Sequence, residues 1–321
     1  MSKLNWGIVS TGRIAALFCQ DIAFAENNHL YAVAARTQDD ADVFAQQYHV
    51  EKAYQGYQTL FDDPDVDIVY IATPHNFHFQ QTYDALMAGK HVLCEKPMTV
   101  SVEECQILVD LAKAKNLLLM EALWTYFLPA LKHAKQWLDD GLNGQLKHIK
   151  VDFGYPIPFN PDDRAYNPQL AGGCLLDMGI YPLAISNYFL DADIGNLYVQ
   201  AHCCETGVED DVIIIAKSEQ VMVSLAASFQ CRLSNNAYII GDKGYIIIPD
   251  AFRASKCHLY HLDEQVDTFS DNRQSLGYHF EAEEAYRLIE NGIFESKVVS
   301  HRHSLLLQSQ MAKVKSLINK S

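Results

Sequence analysis

Over its first 122 residues the chain alternates short apolar runs with helix-patterned stretches, and this alternation restricts the possible folds more than any other feature. "NWGIVS" (5–10) reads as a buried strand and "RIAALFCQDIAF" (13–24) as a helix. "LYAVAAR" (30–36) and "DDADVFAQQY" (39–48) repeat the pair, and "VDIVYIATP" (66–74) is a β-branched strand that stops at Pro74. "QQTYDALMAGK" (80–90) predicts a helix stopped by Gly89, followed by the strand "HVLCEKP" (91–97). "SVEECQILVDLAKAK" (101–115) opens with a capping box, Ser101 and Glu104, and "LLLMEA" (117–122) closes the series. Strands that are apolar throughout must be covered on both faces, which occurs in parallel sheets flanked by helices.

The first strand-to-helix turn reads "STGRIA" (10–15), with Ser10, Gly12 and Ala15 at the three places of a G-x-G-x-x-G motif. In this strand–turn–helix context the motif predicts a Rossmann dinucleotide site. Ser10, Thr11, Gly12, Arg13 and Ile14 would let the backbone and the helix N-terminus meet a pyrophosphate. About 20 residues further on, NAD-binding chains place an acid for the ribose 2′-hydroxyl. Here Ala35, Arg36 and Thr37 stand there, and a guanidinium can pair with a 2′-phosphate, so the expected cofactor is NADP.

At 321 residues the chain is long for one core, and the expected division is 1–122 for the dinucleotide domain and 123–321 for a second domain. A formal net charge of −15 argues against nucleic acid and anionic membranes as partners. No apolar run approaches the ~18 residues of a membrane span, and "MSKLNWGIVS" shows no signal-peptide pattern. The eight cysteines form no CxxC pair or metal spacing, so reduced, mostly buried thiols in a cytoplasmic protein are expected.

"VLCEKP" (92–97), with "ATPHNFH" (72–78) before it and "MEALWT" (120–125), "GGCLLDMGIYP" (172–182) and "ETGVEDD" (205–211) following in order, resembles the Gfo/Idh/MocA oxidoreductase family over nearly the whole chain. The resemblance implies a Rossmann domain followed by a domain with a large open, mainly antiparallel sheet. Agreeing with it, "VMVSLAASF" (221–229) alternates like a strand with one buried face. "YIIGDKGYIII" (238–248) reads as a hairpin, and helices are expected near 278–291 and 304–319, packed on the sheet.

Thr73, Pro74 and His75, and Glu95 and Lys96, fall at strand ends, where they should line the nicotinamide site. His75 is placed near the substrate, His78 as a loop or supporting residue, and two histidines without a third ligand make a weak metal case. Oxidising an alcohol needs a base, and a tyrosine becomes one when a lysine cation favours its phenolate. Tyr181 is therefore the expected proton-transfer residue, with Lys96 opposite it, Asp177 orienting the pair from four residues earlier, and the two glycines letting this helix start close to the cofactor. Many members of the family carry His in place of Tyr181, and the tyrosine points to the branch acting on dihydrodiols. Trp124 is expected as an aromatic wall of the substrate pocket. The implied reaction moves hydride between NADP and a hydroxyl or carbonyl of a small sugar, dihydrodiol or dicarbonyl. The alternatives are an NAD-dependent glycoside hydrolase or a non-catalytic NADP sensor, and a homodimer through the C-terminal sheet is expected.

Overall fold

The structure, a computed structural model, describes residues 3–190 and 192–318. Met1 and Ser2, at the start of the stretch without a leader pattern, and residue 319 of the last expected helix lie outside the described residues. The chain forms two compact units, Met1–Trp124 with Gln274–Leu305, and Thr125–Arg273 with Leu306–Ser321. The segment 274–305 thus returns to the first unit, whereas the expected division placed it in the second.

In the first unit the strands are β1 (Leu4–Val9), β2 (Asn28–Ala35), β3 (Lys52–Gln55), β4 (Ile68–Ile71), β5 (His91–Glu95) and β6 (Leu119–Ala122). The helices are α1 (Arg13–Asp21), α2 (Gln38–Tyr48), α3 (Tyr57–Asp62), α4 (His75–Met87) and α5 (Val102–Lys115). All strand pairs are parallel, in the order β3-β2-β1-β4-β5-β6. Ile8, Val33, Val69, Ile71, Val92 and Leu93 are fully buried, as continuous apolar strands require. The Ser101 hydroxyl accepts from the Glu104 N–H at 3.1 Å, and the Glu104 carboxylate accepts from the Val100 N–H. Ser101 therefore caps the helix as the motif predicts, while Glu104 reaches one residue beyond the N-cap.

Two features differ from expectation. The sequence reading passed over β3 and α3, because "KAYQ" is half-exposed and carries no apolar run. Helix α4 begins at His75, five residues earlier than its apolar pattern suggested, with Pro74 at the N-cap.

In the second unit α6 (Pro129–Asp139) leads into β7 (Leu146–Gly154), followed by α7 (Ile180–Leu190). The strands β8 (Gly195–Cys203), β9 (Glu209–Ser218), β10 (Val221–Ser228), β11 (Ala237–Gly241), β12 (Tyr245–Ile248), β13 (Lys256–His261) and β14 (Glu264–Ser270) complete an eight-stranded sheet. Its order is β14-β13-β12-β11-β7-β10-β9-β8, and only the central β7–β10 pair is parallel. Val223, Leu225 and Ala227 of β10 face inward while Met222 and Ser224 face out, the alternation read from the sequence. The inner face packs under α7 and, on β12 and β13, under α6. Helix α8 (His279–Glu290) belongs to the first unit and rests on β2 there, and α9 (His301–Ile318) divides at Leu305/Leu306.

Candidate active site

The first unit places its site residues by topology. The strand order reverses between β1 and β4, and ligands of such sheets bind beyond the strand carboxyl ends at that reversal. The glycine turn follows β1, Thr73–His75 follow β4, Arg36 follows β2, and Glu95 ends β5 with Lys96 directly after it. Residues up to 86 apart in sequence, Ser10 to Lys96, thus reach one edge of one sheet.

Gly12 is the N-cap of α1, with no side-chain cap and no acidic residue in the first turn. A Cβ added at Gly12 would meet only the Ser10 hydroxyl, at 3.2 Å. Ser10 takes φ +113°, in the region that favours glycine, and its Oγ accepts the Gly12 N–H at 3.0 Å. Thr11 and Ile14 are half-buried, whereas Arg13 is exposed. Ala15 is fully buried, fitting the third motif position, where helix and strand pack closely. Arg36 is exposed, just before the Thr37 N-cap of α2. The glycine turn, with the open N-terminus of α1 behind it, fits a dinucleotide.

Thr73 donates from its hydroxyl to Gln81 Oε1 at 2.6 Å, and Pro74 and the buried His75 open α4. Glu95, expected among the cofactor contacts, turns inward instead. It is 6% exposed, accepts the Tyr70 hydroxyl at 2.5 Å on Oε1 and the Lys96 N–H at 3.1 Å on Oε2. Burial pushes its carboxyl up, while the Lys96 charge and these hydrogen bonds pull it down. Its carboxylate shapes the loop from beneath. Trp124 is buried and stacks on Tyr278, with centroids 4.4 Å apart and planes at 17°.

The second unit carries Asp177 and Tyr181. The expectation of one regular helix is corrected: Leu175–Gly179 form a π-helical turn, and Tyr181 lies in the first turn of α7. Such turns bond i to i+5 and are wider than an α-helical turn. Arg164, from the loop after β7, lies 3.4 Å from the Asp177 carboxylate. The Tyr181 ring stands edge-on to Phe153 at 5.3 Å and to Phe252 at 6.0 Å, and these two stack on each other at 4.3 Å.

The glycine pair also has a different reason from the expected one. A Cβ on Gly172 would press within 2.8–2.9 Å of the Ala165 and Arg164 carbonyls and the Asn167 nitrogen. Gly173, at φ +119°, would drive a Cβ to 2.3 Å from Glu209 Oε1. The glycines let the π-turn seat against its own loop and against Glu209, which also accepts the Leu175 N–H at 3.3 Å.

Ser10–Ile14, Arg36, Thr73–His75, Glu95, Lys96 and Trp124 therefore belong to the first unit, and Asp177 and Tyr181 to the second. The sequence reading did not single out Arg164, Phe153 and Phe252, which join Tyr181 and Asp177 only through tertiary packing. It also missed Glu121, although a lone acid inside the apolar run "LLLMEA" was a usable signal. A cavity of about 520 Å³ in the first unit, lined by Lys3, Asp67, Lys90, His91, Tyr286 and Glu290 among others, adjoins the strand starts, opposite the expected ligand edge. Among the described residues no cluster of three or more His, Cys, Asp or Glu could hold a metal ion, and no helix is long and apolar enough to cross a membrane. All eight cysteines are free and five are buried.

Comparison with known proteins agrees with this arrangement. A family model described as an oxidoreductase family with an NAD-binding Rossmann fold, Gfo/Idh/MocA, matches residues 4–123, and the Gfo/Idh/MocA C-terminal domain matches residues 131–247. The trans-1,2-dihydrobenzene-1,2-diol dehydrogenase of Danio rerio is 33% identical over 318 residues, covering 96% of this chain and 95% of its own. That of Homo sapiens is 33% identical over 326 residues, covering 98% and 97%. Among solved structures, an aldose-aldose oxidoreductase from Caulobacter crescentus superimposes with a TM-score of 0.90 at 22% identity, covering 99% of this chain and 98% of that one. A 3-ketoreductase from Actinomadura kijaniata, in complex with NADP and TDP-benzene, gives a TM-score of 0.88 at 25% identity, with 98% of both chains covered.

Proposed function

The chain belongs to the Gfo/Idh/MocA family of oxidoreductases, and from that premise we propose that it moves hydride between NADP and a hydroxyl or carbonyl of a small dihydrodiol, sugar or dicarbonyl. The observation that carries the cofactor choice is Arg36, exposed at the end of β2 where an acid would repel a 2′-phosphate. The nicotinamide supplies the hydride acceptor or donor when bound. The chain's residues hold it and handle the proton.

Arg13 and Ile14 offer backbone N–H groups at the positive end of α1 to the pyrophosphate. The assigned roles are proton transfer for Tyr181, stabilisation of its phenolate by Lys96, and orientation by Asp177, with His75 near the substrate hydroxyl. Phe153 and Phe252 surround the Tyr181 ring with apolar surface, which suits a substrate with a cyclic, partly apolar body. That likeness to the diol dehydrogenases named above favours dihydrodiols among the three classes. The dinucleotide domain is assigned near residues 1–122 with the returning segment 274–305, and the substrate domain to the rest of 123–321. The protein is assigned to the cytoplasm, and the assembly to a homodimer through the outer face of the eight-stranded sheet.

A panel of dihydrodiols, aldoses and dicarbonyls, read by NADPH absorbance, tests the reading. Stoichiometric NADPH formation from a diol or sugar, or its consumption by a dicarbonyl, is the expected result. Absence of redox turnover across the panel would overturn it.

A further inference from the structure

His78 is fully buried on α4 and faces two backbone carbonyl oxygens. Its Nδ1 lies 2.8 Å from the oxygen of Pro97, and its Nε2 lies 2.7 Å from that of Thr73. Carbonyl oxygens only accept. A neutral imidazole has one N–H, so one of these contacts would set two lone pairs against each other. An imidazolium donates in both.

The Pro97 carbonyl belongs to the same peptide as the Met98 N–H, and that N–H donates to Glu121 Oε1 at 2.8 Å. One peptide group thus has a ring donor at its oxygen and a buried carboxyl at its nitrogen. A buried charge is costly unless paired, and the two charges here lie on opposite sides of a dipole oriented to favour both.

We propose that His78, as an imidazolium, and Glu121, as a carboxylate, form a buried charge pair across the Pro97–Met98 peptide. The pair positions the loop that carries Lys96 and ties it, through Thr73, to the end of β4. His78 is a positioning residue in this scheme, since it acts on carbonyls and not on substrate. The other titratable groups around the peptide are His75 on α4, with ring centroids 5.7 Å from His78, Glu95 at the end of β5, and Lys96 just after it. Cys94 and Cys105 also sense the Glu121 charge, and Ser304 of α9 stabilises it. Burial pushes the Glu121 carboxyl up, while Ser304, the Met98 N–H and the Lys96 charge pull it back. An imidazolium one peptide away adds to that downward pull.

The protonation state stands independently of the proposed function, and only the effect on turnover rests on it. Histidine-selective ¹⁵N labelling of the full chain, with the His78 signal assigned by its loss in His78→Asn, reads the ring directly. Both nitrogens should carry protons from about pH 6 to pH 8, where a solvated histidine is losing its charge. A single-proton tautomer at neutral pH would overturn the proposal. Glu121→Gln keeps an acceptor for Met98 but removes the charge, and should move the His78 titration to lower pH by about one unit or more. An unchanged titration would also overturn it. If His78→Asn fails to fold, comparing the spectra of wild type and Glu121→Gln still decides the matter. In turnover assays each single variant should lose up to about 10²-fold in kcat with NADP affinity intact, and the double variant no more than the worse single. Additive losses would show that the two residues act separately. A wild type without turnover would count against the proposed function and leave the spectroscopic result standing.

Discussion

At the end of β2 a carboxylate and a guanidinium select opposite cofactors, so Arg36 is the residue on which the NADP assignment turns. Arg36→Ala removes a bidentate partner for the 2′-phosphate and leaves the α1 N-terminus unchanged. NADP affinity should fall by roughly 10–100-fold, the range of one or two charge-assisted hydrogen bonds, while NAD affinity barely moves. Fluorescence titration of both cofactors checks this, and equal losses would show that Arg36 is a solvated bystander. Tyr181→Phe tests the chemistry. The substitution preserves the ring contacts with Phe153 and Phe252 and removes only the hydroxyl. Turnover should fall ~10²–10⁴-fold with little change in melting temperature or NADP affinity. A variant that turns over like wild type but melts earlier would assign the hydroxyl a structural role. The glycine turn and Arg36 were legible because each depends on a few adjacent residues after a strand. Arg164 and Phe252 were not, since residues 164 and 252 meet the Asp177–Tyr181 segment only through the fold.

Elements end where particular side chains hold them, and the entry to α8 shows this. The chain reaches α8 through Leu276, Gly277 and Tyr278, whose N–H groups all donate to the carboxylate of Asp21 at the end of α1, at 2.6–2.8 Å. Burial alone would raise the Asp21 carboxyl, but His279 and the three backbone N–H groups outweigh it and hold it below its ordinary value. Asp21→Asn leaves at least one buried N–H without a good acceptor and should cost about 2–3 kcal/mol, read as a lower urea midpoint. The folded carboxyl titrates below its unfolded value near 4. Its contribution is therefore complete above that pH and is lost as pH falls through the lower, folded value. The stability gap between wild type and Asp21→Asn should close on acidification, and a gap that is constant with pH would mean the charge is not what anchors α8. None of this was visible in sequence, because residue 21 and residues 276–278 lie some 255 positions apart. The early start of α4 escaped for a different reason. "HNFHF" lacks an apolar stripe, and its His78 bonds the strand-end loops at the Thr73 and Pro97 carbonyls rather than packing into the core.

For the whole molecule, the eight-stranded sheet offers one face to helices and leaves the other open. Strand register aligns Tyr198, Ile215, Ser224, Lys150, Tyr238 and Ile247 in one row across that outer face. Tyr198 is 74% exposed, and Ile213 and Ile215 are about half exposed. Large apolar side chains clustered on a flat sheet surface are uncommon on monomers and mark an association surface. A chain of net charge −15 repels its copies at long range, so a dimer must draw its stability from such apolar contact. Light scattering at micromolar concentration should give twice the chain mass for the wild type. Replacing Ile213 and Ile215 together by Glu puts unpaired charges on β9, within this outer face. These positions are already half exposed, so the fold should persist while the mass falls to that of one chain. A wild type of single-chain mass would sink the dimer. A double variant that stays dimeric would move the interface elsewhere, to the exposed edges at β8 or β14.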